Sequence, residues 1–92
     1  MILTAVISQV EGIIVSDMDG EKVMLSIQNG KYYNLGEMGG EIWGLMKEPI
    51  SIQSLVHSLQ SIYDINQTNC EEQVTAFLTQ LKDERLIQIE LY

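Results

Sequence analysis

Strands first and helices after, an α+β arrangement, is the fold written into residues 11–90. Two observations carry it. Up to Leu35 the signals are those of strands: a β-branched run at Ile13-Ile14-Val15, a period of two from Val23 to Gln28, and a strong hairpin signal at Asn29-Gly30. From Met38 to Leu81 they recur instead at helical spacing, punctuated by Pro49 and by a polar loop at Asp64-Ile65-Asn66-Gln67. The expected fold is a three-stranded antiparallel sheet followed by three helices packed on one of its faces.

The first strand is centred on Ile13-Ile14-Val15, β-branched residues between Gly12 and the turn cluster Asp17-Met18-Asp19-Gly20. Val23, Leu25 and Ile27 alternate with Met24, Ser26 and Gln28 in the second, and Lys31 to Leu35 returns as the third. A three-residue loop, Gln28-Asn29-Gly30 with Gly30 left-handed, would set Ile27 opposite Lys31, Leu25 opposite Tyr33 and Val23 opposite Leu35. That register makes one face wholly apolar, and it is preferred over a two-residue Asn-Gly loop, which would bring Asn34 onto that face.

Met38, Ile42, Leu45 and Met46 mark a first helix from about Glu37 to Lys47, which Pro49 ends. Ser51 is placed to cap a second, whose stripe is Ile52, Leu55, Val56, Leu59, Ile62 and Tyr63. Thr68-x-x-Glu71 spells a capping box for the third, with Cys70, Val74, Phe77, Leu78 and Leu81 on one side. Ile87, Ile89 and Leu91 alternate with polar residues, so the tail reads as a short strand.

Ninety-two residues leave room for one domain, taken as residues 1–92. Five basic residues against thirteen acidic ones, a formal charge of −8, oppose binding to nucleic acid or to an anionic membrane surface and suit a basic or amphipathic peptide. No run nears the ~20 apolar residues of a membrane span. The apolar start, Met1-Ile2-Leu3-Thr4-Ala5-Val6-Ile7, has no Lys or Arg ahead of it, which argues against a signal peptide. A single cysteine points to a reducing cytosol.

Catalytic signals are poor. His57 reads as a surface or boundary histidine and Cys70 as a small packing residue; no third group is signalled to orient a Cys-His couple, and a zinc site would need carboxylates besides. Asp17-Met18-Asp19-Gly20-Glu21 has its glycine too early for a calcium loop, and Gly36, Gly39, Gly40 and Gly44 do not spell a phosphate-binding loop. No metal or cofactor is called for. The notable feature is the strand Lys31-Tyr32-Tyr33-Asn34-Leu35, a sheet edge with one Lys and no Pro to protect it, of the kind a partner strand completes. Of the tyrosine pair, one ring is expected to be buried and one exposed. Trp43, at helical spacing, is expected to be partly buried between the first helix and its neighbours.

The run from Met24-Leu25 through Gly30-Lys31-Tyr32-Tyr33-x-Leu35 to Gly39-x-x-Ile42-Trp43-x-x-Met46, with a last helix ending in Phe77-Leu78-x-x-Leu81-x-x-x-x-Leu86-Ile87, resembles the PqqD-like family. Those are small precursor-peptide recognition elements of ribosomal peptide (RiPP) biosynthesis, and free-standing members of this size are most similar to the leader-binding subunit of lasso-peptide clusters. The resemblance implies a winged-helix-like fold with no enzymatic activity of its own. It implies that a precursor's leader segment adds as a strand to the third strand, in a groove lined by the third helix. The precursor would then pass to a cysteine leader peptidase and afterwards to a cyclase. Carried onto this chain, the peptide-binding set is Lys31, Tyr32, Tyr33, Asn34, Leu35, Cys70, Val74, Phe77, Leu78 and Leu81. One departure stands out: Gly36 and Met38 occupy positions where the family often has Asn and Thr, so the first helix is expected to fray at its start. The rival reading is a winged-helix DNA-binding protein, which the charge opposes; the end of the last helix offers only Lys82 and Arg85 as basic residues.

Overall fold

The structure, a computed structural model, describes residues 4–19 and 21–90. The elements run β1 (Val6–Gln9), β2 (Ile13–Met18), β3 (Glu21–Ser26), β4 (Lys31–Leu35), α1 (Gly36–Leu45), β5 (Ile50–Ser51), α2 (Ile52–Ile62), α3 (Gln67–Asp83) and β6 (Ile87–Glu90). The antiparallel meander and the three helices that follow it are those expected, and the class is α+β.

A second sheet accompanies the meander. Its order is β5-β1-β6, with β1 antiparallel to both neighbours. The N-terminal strand is an addition to the sequence reading, and the tail strand is as expected, Leu91 lying outside the described residues. Ala5 and Ile7 of the N-terminal segment are fully buried in the core with Leu86 and Ile87.

The meander has the order β2-β3-β4, so β2 and β4 are its edges. The expected hairpin register is corrected. Ser26 pairs with Lys31, Leu25 with Tyr32, Met24 with Tyr33 and Val23 with Asn34. The loop therefore spans Ile27 to Gly30, and Gly30 is left-handed (φ 66°) as anticipated, donating to the Ser26 carbonyl at 2.8 Å. The shift inverts β3: Met24 and Ser26 are buried, whereas Ile27 is 65% exposed. Two causes act together. Met24 is the residue that fills the core under α1. Ser26 tolerates burial because its Oγ accepts the Asn29 N–H at 3.1 Å, so its polar atom is satisfied by its own turn. Val23, Leu25 and Ile27, expected on the helix-covered face, lie on the opposite one.

The helices keep their places with adjusted ends. α2 is capped by Ser51, whose Oγ accepts the Ser54 N–H at 3.1 Å. The Thr68–Glu71 capping box does not form: Asn66 caps α3 instead, accepting the Asn69 N–H at 2.8 Å, and Glu71 takes a hydrogen bond from the Gln67 side chain. Asn is as good a cap as Thr or better, and it comes first in the chain. α1 has no side-chain cap at Leu35. Instead Asn34 Oδ1 accepts the Gly36 N–H at 3.0 Å, and Gly36 turns the chain into the helix at φ 69°, a conformation that costs glycine little. Trp43 is more deeply buried than expected, at 5% exposed, and its carbonyl accepts from Gln9 Nε2 at 2.7 Å.

Candidate functional site

A cleft of about 410 Å³ opens beside β4. One side is the strand itself: Tyr33, Asn34 and Leu35. The other is the C-terminal part of α3 and the chain beyond it, from Phe77 through Gln80, Leu81, Asp83 and Glu84 to Leu86. On its far flank β4 has no strand neighbour among the described residues. In an antiparallel ladder alternate residues turn their N–H and C=O groups away from the existing partner, so β4 offers main-chain donors and acceptors along the cleft.

The two walls are held at fixed spacing from both ends. At the β4 start, Asn29 Nδ2 donates to the Glu84 carbonyl at 2.7 Å and contacts the Tyr33 hydroxyl at 3.1 Å. The same corner carries a long ion pair, Lys31 Nζ to Glu84 Oε1 at 3.9 Å. At the β4 end, buried Gly39 lets α1 come close: a Cβ there would stand 3.1 Å from Leu35 Cβ and from the Phe77 ring. A side chain at this position would crowd both Leu35 and Phe77, which line the same end of the cleft.

Of the residues expected to bind peptide, Tyr33, Asn34, Leu35, Phe77 and Leu81 come together here. Tyr33, Leu35 and Phe77 are half-buried, resting on the core below while facing the opening. Cys70, Val74 and Leu78 do not reach the cleft. They are fully buried, Cys70 Sγ donating to the Val56 carbonyl at 3.7 Å. The reason is helical phase: residues 70, 74 and 78 run along the line that faces α2, and Phe77, Gln80 and Leu81 lie on the neighbouring line that borders the cleft. Lys31 is exposed at the rim in its pair with Glu84. Tyr32 is 75% exposed on the opposite face of the sheet, in a shallow hollow with Ile14, Met18, Val23 and Leu25. One ring of the tyrosine pair is thus half-buried and one exposed, as expected. Gln80, Asp83, Glu84 and Leu86 are not among the expected binding residues; Leu86 alone is signalled in the sequence, in the run that carries the family resemblance, and the others lie where α3 runs two residues beyond its final apolar position, Leu81.

Cys70 and His57 lie outside this cleft. Burial, with a smaller push from Glu71, raises the Cys70 thiol above its ordinary 9.0, which keeps it in the unreactive protonated form. His57 lines a separate polar hollow with Gln53, Gln60 and Glu71 that Cys70 does not enter. Among the described residues no group of three or more His, Cys, Asp and Glu is placed to hold a metal ion, and no helix is long and apolar enough to cross a membrane.

The family model of coenzyme PQQ synthesis protein D (PqqD) matches residues 21–87, and the chain belongs to that family. The matched span includes β4, α3 and every residue lining the cleft. Among solved structures, TbiB1 in complex with the TbiA(beta) leader peptide is similar with a TM-score of 0.80 and 25% identity, over 88% of this chain and 94% of that one. A lasso peptide synthetase B1 complexed with the leader peptide is similar in fold, with a TM-score of 0.77 at 23% identity, over 89% of this chain and 96% of that one. A search of curated proteins returns no significant match.

Proposed function

We propose that this chain is a single-domain leader-peptide recognition protein of lasso-peptide biosynthesis. The observation that carries the reading is the pairing of an open strand edge, β4, with an apolar-floored cleft between it and α3. The PqqD family membership and the leader-bound state of TbiB1, its similar structure, support the same reading. The leader adds antiparallel to Lys31–Leu35. Main-chain hydrogen bonds along the edge give register without regard to sequence, and alternate leader side chains enter the cleft over Tyr33, Leu35, Phe77 and Leu81. An aromatic or proline side chain is the natural anchor, because such groups lose little conformational freedom on docking.

The chain binds and presents; bond breaking and ring closure fall to separate enzymes, a cysteine leader peptidase and then a cyclase. It works in the cytosol, where its one thiol stays reduced. The test is reconstitution. A precursor and a peptidase encoded beside this chain should give efficient leader removal only when the chain is present. Cleavage at the same rate without it would contradict the presenting role, and calorimetric binding of a precursor that lacks its leader would contradict the leader as the recognised part.

A further inference from the structure

The cleft is not uniform along its length, and its asymmetry bears on which leaders it accepts. α3 runs antiparallel to β4: Phe77 meets the Leu35 end through Gly39, and Glu84 meets the Lys31 end through Asn29. Phe77 to Glu84 climbs about 10 Å at the helical rise, alongside most of the ~13 Å of extended chain from Leu35 back to Lys31. A strand added antiparallel to β4 therefore travels with α3, from an apolar mouth at Leu35 and Phe77 to an acidic one at Asp83 and Glu84. The two carboxylates differ. Glu84 is half-buried and engaged by Lys31, whereas Asp83 is exposed, lines the cleft and has no ion pair among the described residues. It stands at the negative end of a 17-residue helix, where carboxylates are unfavourable and a cation is favoured; Lys82, the one basic residue of that last turn, does not line the cleft.

We infer that Asp83 is a specificity-determining residue: the cleft selects leaders carrying an apolar residue followed, two or four positions later on the same face, by Lys or Arg. The even spacing follows from strand alternation. The apolar side chain rests at Leu35 and Phe77, and the cation comes beside Asp83. The inference rests on the strand-addition reading above.

The experiment is selection of random 12-residue displayed peptides on the intact chain and on its Asp83→Asn variant, with affinities of the enriched peptides measured on both. Expected is enrichment of apolar-x-(Lys/Arg) or apolar-x-x-x-(Lys/Arg) on the wild type. On Asp83→Asn the apolar preference persists, the basic preference disappears, and affinity for the wild-type winners drops roughly two- to five-fold, the range of a solvent-exposed ion pair. Equal basic enrichment on both proteins, or apolar enrichment without a basic preference on the wild type, overturns the inference and leaves the strand-addition reading standing. Failure to enrich any peptide with alternating apolar residues overturns both.

Discussion

Asn29 and Glu84 are 55 residues apart in sequence and joined by a 2.7 Å hydrogen bond from the Asn29 side chain to the Glu84 carbonyl. The bond ties the β3–β4 loop to the end of α3. The same amide lies 3.1 Å from the Tyr33 hydroxyl, so one side chain fixes the width of the cleft and the pose of a ring on its floor. Asn29→Ala removes both contacts and leaves intact the Asn29 N–H to Ser26 Oγ bond that satisfies the buried serine. The expected cost is about 1–2 kcal/mol, a fall of roughly 4–8 °C in Tm for each kcal/mol in a chain of this size. Peptide affinity should fall as well. Thermal melts and calorimetry on the variant check both, and an unchanged affinity would show that the cleft holds its shape without this tie.

Trp43 is a core residue and not a ligand platform. It is buried among the core side chains and does not line the cleft. Trp43→Ala is expected to cost ~3–5 kcal/mol and to lower the melting temperature sharply. A variant that melts normally and loses only peptide binding would contradict that placement.

Cys70 is buried away from the cleft and His57 lines a separate hollow, so a Cys70→Ala, His57→Ala double variant is expected to bind peptide as the wild type does. Alkaline titration gives a second check. Burial holds the Cys70 thiol above its ordinary 9.0, and burial with Glu37 and Glu41 holds the Tyr63 phenol above 10.0. Both folded values are raised, so the stability they contribute is whole below the ordinary values and is lost as pH rises through the folded ones. Stability measured by denaturant should begin to fall above about pH 9, and Cys70→Ala should remove the earlier part of the fall.

Salt should weaken peptide binding modestly, mainly through the association rate. The chain carries −8 overall, and steering of this kind is screened beyond a Debye length of roughly 8 Å at physiological ionic strength. Stopped-flow association at low and high salt measures it. An affinity that climbs steadily with salt would mark the contact as essentially apolar.

Element types were legible in the sequence where local signals agreed. Asn29-Gly30, Ser51 and the 3.6-residue stripes of α2 and α3 each found their expected place. Apart from the cap of α3, which Asn66 takes from Thr68 locally, the failures share a cause: tertiary partners decide between locally equivalent choices. Val23, Leu25 and Ile27 form the more apolar alternation, yet Met24 faces the core, because α1 covers that side and Asn29 satisfies Ser26. β1 was hidden because its partners are two residues at Ile50–Ser51 and a strand at the far end of the chain. The spacing along α3 presents its apolar side as a single wall, but packing against α2 takes Cys70, Val74 and Leu78 and leaves Phe77 and Leu81 to the cleft. The edge strand and its tyrosine and leucine were visible; the acidic rim at Asp83 and Glu84 was not, because nothing local distinguishes those carboxylates from solvated ones.

Strand addition to β4 is most directly read from its backbone. Amide hydrogen exchange, measured with and without a leader peptide, should show new protection across Lys31 to Leu35 as outward-facing N–H groups acquire partners, with smaller changes in α3 from residue 77 to 83 where the cleft closes over side chains. Protection confined to Ile13–Met18 would put the peptide on the opposite edge of the sheet, and binding without new protection at either edge would contradict strand addition altogether.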